Sequence, residues 1–140
     1  MHPDLQKAIG QLKAENYTCV FCKGNTVYTS YDRGIAPLLK QYEKNTLLSD
    51  FYVADKVVGK GAAFMYVLLG IRELYAEILS ESAKAVLTEY GIPVYARSVV
   101  NRILNREKTG FCPIESAVLQ ITDPTEALFA IQQTLKELKK

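Results

Sequence analysis

At 140 residues with 49% hydrophobic content, the chain can bury one core and is expected to form a single domain over residues 1–140. The net charge of +2 is small and scattered, and no basic run is interleaved with aromatics, which argues against nucleic-acid binding by charge. No segment approaches the length of a membrane span, and Asp4, Lys7 and Lys13 stand where a signal peptide would be apolar, so a soluble cytoplasmic protein with no membrane contact is expected.

Leu5, Ile9 and Leu12 recur at helical spacing and predict a helix over about residues 3–15. Two β-rich runs follow, 17–22 and 26–31, around Lys23-Gly24-Asn25, where Gly and Asn tolerate the positive φ of a tight hairpin. Cys19 and Cys22 spell C-x-x-C inside the first run. Side chains three apart on a strand point to opposite faces, so a shared metal or a disulfide is not expected and both read as core. An odd count of three cysteines likewise argues against a disulfide framework and for a reducing compartment. His2, at the start of the chain, is a poor catalytic candidate.

Ile35, Leu38, Leu39 and Tyr42 predict a second helix after Asp32-Arg33-Gly34, and Phe51 to Ala54 a third strand. Residues 59–69 are apolar nearly all round and end at Gly70, which predicts a buried helix. Glu73 to Ile78 reads as a strand, Ser80 to Tyr90 as a helix stopped by Gly91, and Pro93 to Arg97 as a further strand. Val99 to Leu104 suits strand or helix. Pro113 to Gln120 reads as a short helix, and Asp123-Pro124-Thr125-Glu126 opens a last one. Strands separated by helices of this length imply parallel crossovers with helices on both faces, a three-layer α/β/α sandwich on a mixed five-stranded sheet.

Two segments could carry chemistry. In Asn105 to Glu115, Pro113 suits a first helical position, which puts Cys112 at the N-cap and Glu115 in the first turn. A helix N-terminus favours thiolate over thiol, making Cys112 a candidate nucleophile with Glu115 as its proton acceptor. Equally, Cys112 could be a plain buried thiol, with Glu115 reaching back to cap the N–H of residue 112. In Asp55 to Ala63, a glycine-bearing turn joins a strand end to a buried helix, the place where open α/β sheets bind ligands. Gly59 and Gly61 would let an anion approach backbone N–H groups, with Lys60 adding charge and Asp55, Asn105 and Arg106 supplying polar recognition. The alternative is that these small residues only allow close packing while Lys60 reaches to solvent. The segment is not a P-loop, because Ala62 stands where a magnesium-binding hydroxyl is required.

The order of elements, with D-K-V-V-G-K-G-A-A at 55–63 and N-R-E-K-T-G-F-C-P-I-E at 105–115, resembles an uncharacterised prokaryotic family of the cytidine-deaminase-like superfamily, domain of unknown function 1893. The resemblance implies that superfamily's fold. Its zinc chemistry needs H-x-E or C-x-E at one helix start and P-C-x-x-C at the next. The corresponding starts here, 31–34 and 58–61, supply neither His nor Cys, so no metal or other cofactor is expected and hydrolytic deamination is not implied. Three functions stay open: binding of a small anionic metabolite or nucleotide, a cysteine-dependent enzyme built on Cys112 and Glu115, and a structural or interaction protein. For the last, nine tyrosines could contribute to a homodimer surface.

Overall fold

The computed structural model describes residues 1–32, 35–44, 48–103 and 112–138. Its first helix, α1 (Pro3–Ala14), starts with Pro3 where no backbone N–H is needed, and the His2 ring nitrogen accepts from the Asp4 N–H. Strands β1 (Cys19–Lys23) and β2 (Thr26–Ser30) form the expected hairpin, with Gly24 at φ +58° in the turn. Then come α2 (Ala36–Glu43), β3 (Tyr52–Val58), α3 (Lys60–Leu69), β4 (Glu73–Ser80), α4 (Glu81–Glu89) and β5 (Val94–Val100). The chain ends with α5 (Pro113–Val118) and α6 (Pro124–Leu138). Gly70 closes α3 at φ +74°, a left-handed position that glycine takes without strain.

The sheet order is β2-β1-β3-β4-β5, with β1 antiparallel to both of its neighbours and β3, β4 and β5 mutually parallel. The mixed five-stranded sheet expected from the sequence is therefore present. Strand β3 runs past the predicted Ala54 to Val58, because Asp55, Val57 and Val58 stay in register with Ala76, Ile78 and Leu79 of β4 despite their polar neighbour Lys56. Of the ambiguous run, Val99 and Val100 belong to β5, and Leu104 lies outside the described residues.

Helices cover both faces unequally. Leu5, Ala8 and Leu12 of α1 pack on Val20, Cys22, Tyr52, Ala54 and Tyr75. The opposite face carries the larger core, in which α3, apolar after Lys60 apart from the Tyr66 hydroxyl, sits among α2, α4, α5 and α6. Cys19 belongs to the larger core and Cys22 to the α1 side, on opposite faces as strand alternation requires. Among the described residues no helix is long and apolar enough to cross a membrane.

Candidate functional site

Where β3 hands over to α3, two glycines let another helix approach closely. Gly59 is the N-cap of α3 in extended conformation and brings no side chain to the exposed N–H groups of the first turn. Those groups are reached from far along the chain: the Lys60 N–H donates to Glu115 Oε1 at 2.8 Å. A Cβ on Gly59 would lie 1.9 Å from that oxygen, and a Cβ on Gly61 would lie 2.6 Å from Cγ2 of Ile114. Both glycines thus serve close approach, and what approaches is α5. Burial pushes the Glu115 carboxyl above the usual range, opposed by hydrogen bonds from the Lys60 N–H and the Ser80 hydroxyl and by the Lys60 charge.

Beside this junction lies a half-open cleft of about 780 Å³ at the carboxyl end of β3. Asp55, Lys56, Gly59 and Gly61 form one wall, and Ile103, Cys112, Ile114 and Glu115 another. Asn16, Thr18 and Asp32 stand around it, with Ile35, Leu135 and Leu138 giving apolar surface. The Cys112 N–H donates to the Ile103 carbonyl at 3.2 Å, which brings the two flanks of 104–111 together at this wall.

The sheet register builds the most buried polar group of the cleft. Cys19 of β1 pairs directly with Asp55 of β3, so both side chains share a face, and Tyr66 of α3 lies over them. The Tyr66 hydroxyl donates to Asp55 Oδ2 at 2.5 Å and lies 3.4 Å from the Cys19 sulfur, while the Val57 N–H reaches Asp55 Oδ1 at a longer 3.3 Å. Asp55 is only 9% exposed and forms no ion pair among the described residues. Burial raises its carboxyl to about 7, against the pull of the Tyr66 hydroxyl and of the Val57 and Lys56 N–H groups. Burial also raises Tyr66 and Cys19, each further by the charge of Asp55.

Of the residues singled out from sequence, Asp55, Gly59, Gly61, Cys112 and Glu115 meet in one cleft. Lys60 does not bring its ammonium there: Nζ donates to the Leu119 carbonyl at 2.9 Å and lies over the Phe64 ring. Asn105 and Arg106 lie outside the described residues. The first turn of α3, expected to receive an external anion, already holds the Glu115 carboxylate. Glu115 therefore caps α3 and not its own short helix, in which Cys112 is the N-cap of only six helical residues.

Sequence reasoning missed Tyr66 and Lys56. Lys56 is the one basic side chain lining the cleft among the described residues, and its ammonium donates to Asn16 Oδ1. The available signal was Asp55 itself: an acid directly after the apolar run Phe51 to Ala54 demands a buried donor. Among the described residues no group of three or more His, Cys, Asp or Glu is placed to hold a metal ion.

The sequence pattern of the family described as TM1506, domain of unknown function (DUF1893), matches residues 7–135. A crystal structure of a DUF1893 family protein (TM1506) from Thermotoga maritima superposes with a TM-score of 0.86 at 24% identity, covering 98% of this chain and 92% of that one. No curated protein matches the chain.

Proposed function

The chain belongs to the DUF1893 family, and from that premise we propose that its cleft binds a small anionic metabolite, such as a nucleotide or another phosphorylated molecule. The observation that carries the reading is the cleft itself: an opening of about 780 Å³ at a strand's carboxyl end, with apolar walls and a few convergent polar groups. With α3's first turn taken by Glu115, the anionic end of the ligand belongs beside Lys56 and Asn16. The body then lies over Ile35, Ile103 and Ile114, and its hydrogen-bond donors meet Asp55. The element order resembles the cytidine-deaminase-like arrangement, and on that reading the cleft falls where deaminases hold zinc and base, while residues 58–61 offer no His or Cys as a ligand.

A thermal-shift screen against nucleotides, nucleosides and sugar phosphates tests this, since a ligand selective for the native state raises Tm by mass action. A phosphorylated class should raise Tm in the native protein, lose the effect in Lys56→Ala and keep it in Lys60→Ala. A flat screen removes the reading.

One observation favours a second reading, a cysteine-dependent enzyme: Cys112 lines the same cleft and is only partly buried. Its proposed proton acceptor, Glu115, is already engaged by the Lys60 N–H. Alkylation of Cys112 followed against pH decides the matter. A midpoint near the ordinary thiol value of about 8.5 removes any activation.

A further inference from the structure

Asp55 is an expensive residue for this fold to keep. A carboxyl 9% exposed in an apolar core, with no ion pair among the described residues, lowers stability wherever it ionises, and asparagine would fill the same space without that cost. Among the described residues, the charged and titratable groups of the cleft, besides the exposed Tyr31 at its edge, are the following. Cys19 comes from β1 and Tyr66 from α3, Glu115 and Cys112 stand on the α5 wall, and Lys56 and Asp32 stand nearer the mouth, held by Asn16 and Lys40 respectively. Lys56 turns its ammonium to Asn16, so it does not neutralise Asp55 as a partner.

The two oxygens of Asp55 are not equivalent. Oδ2 is fixed by the short bond from the Tyr66 hydroxyl, whereas among the described residues Oδ1 takes the long 3.3 Å approach of the Val57 N–H, and the Lys56 N–H adds a weaker pull on the carboxyl. With Tyr66 donating to Oδ2, a proton on the carboxyl resides on Oδ1, the oxygen with capacity to spare.

We infer that Asp55 is the acid–base residue of the cleft, taking a proton from a carbon of a bound phosphorylated small molecule on Oδ1 and returning a proton to the same molecule, with Tyr66 as the positioning residue. The inference rests on the binding reading above. The reaction class is a proton shift within one substrate: a C–H bond breaks, its electron pair stays on the substrate, and the proton bonds to Oδ1, where it exchanges with water. Oδ1 then returns a proton either to the same carbon or to a neighbouring substrate atom. Atoms and charge balance without a co-reactant. Burial supports the assignment, because a carboxyl raised to about 7 exchanges protons readily near neutral pH.

Carbon-detected NMR of the Asp55 carboxyl in the intact protein needs no ligand. The expected midpoint is near 7, moving upward in Tyr66→Phe, which loses the bond that favours the carboxylate; a midpoint near that of a free aspartate overturns the assignment. The second measurement uses dihydroxyacetone phosphate, glycolaldehyde phosphate and phosphoserine, each joining a phosphate to a hydrogen on carbon beside a carbonyl or carboxyl group. In deuterated water a probe that raises Tm should gain deuterium at that carbon, and Asp55→Asn should slow the exchange by about 100-fold or more. Binding without exchange overturns the acid–base role and leaves the binding reading standing. No Tm shift with any probe takes down both.

Discussion

Asp55 and Glu115 are two carboxyls on one cleft, both raised by burial, and their partners give them opposite tasks. Glu115 accepts a backbone N–H at the start of α3, in a space that Gly59 leaves open for it, so its hydrogen bond completes the start of that helix. Asp55 receives a phenol and weak approaches from the Val57 and Lys56 N–H groups, and among the described residues it caps no helix and closes no ion pair. Asp55 is buried and Glu115 half-buried, yet it is their partners that assign one to structure and leave the other available for chemistry. What separates them is whether the chain supplies a donor that would otherwise be orphaned.

The largest test of this contrast is Asp55→Asn. In the unfolded chain Asp55 titrates near 3.8, and in the fold at about 7. Between these values the unfolded state releases the proton while the folded state keeps it, so the contribution of Asp55 to stability is full below about 4, falls as pH rises and is lost above 7. Denaturation by urea should show Asp55→Asn more stable than the native chain at pH values above 7, by up to roughly 4 kcal/mol, with the gain vanishing at acid pH. An unchanged pH profile would show that Asp55 carries no such shift.

Gly59→Ala and Gly61→Ala come next. A methyl at either position meets Glu115 or Ile114, so each should lower stability by about 1–3 kcal/mol, read from the urea midpoint. Should Gly59→Ala be neutral, α5 does not press on α3 as described.

Glu115→Ala should cost about 1 kcal/mol as the loss of a helix cap, and Glu115→Gln less because its amide oxygen can still accept from the Lys60 N–H. If the cost instead matched between Gln and Ala, the charge and not the hydrogen bond would be what α3 uses. The smallest effect is expected for Lys60→Ala, within about 0.5 kcal/mol in thermal unfolding, because its ammonium meets the Leu119 carbonyl in an exposed setting.

Most of the elements were legible because apolar spacing and punctuation agree: Pro3, Gly24, Gly70 and Pro124 each stand where a helix starts, a hairpin turns or a helix stops. The opposite-face assignment of Cys19 and Cys22 followed from strand period alone. The glycines at 59 and 61 were legible as sites of close approach, but not what approaches, since Ile114 and Glu115 arrive from a helix more than fifty residues on. Direction was the other hidden quantity. Lys60 opens α3, and only the packed position of Leu119 determines that its ammonium points there while Lys56, on the preceding strand, lines the cleft. Tyr66 looked like one more apolar-helix residue because its partner depends on the pairing of β1 with β3, which no local window contains.

The Lys60–Glu115 bond also has a kinetic side. It joins residues 55 apart, with β4, α4 and β5 lying between them in the chain. Closing so long a loop carries an entropic cost that near-neighbour contacts such as the β1–β2 hairpin avoid. The closing of the cleft around Asp55 is therefore expected to follow formation of the hairpin, because Glu115 reaches α3 through the longer loop.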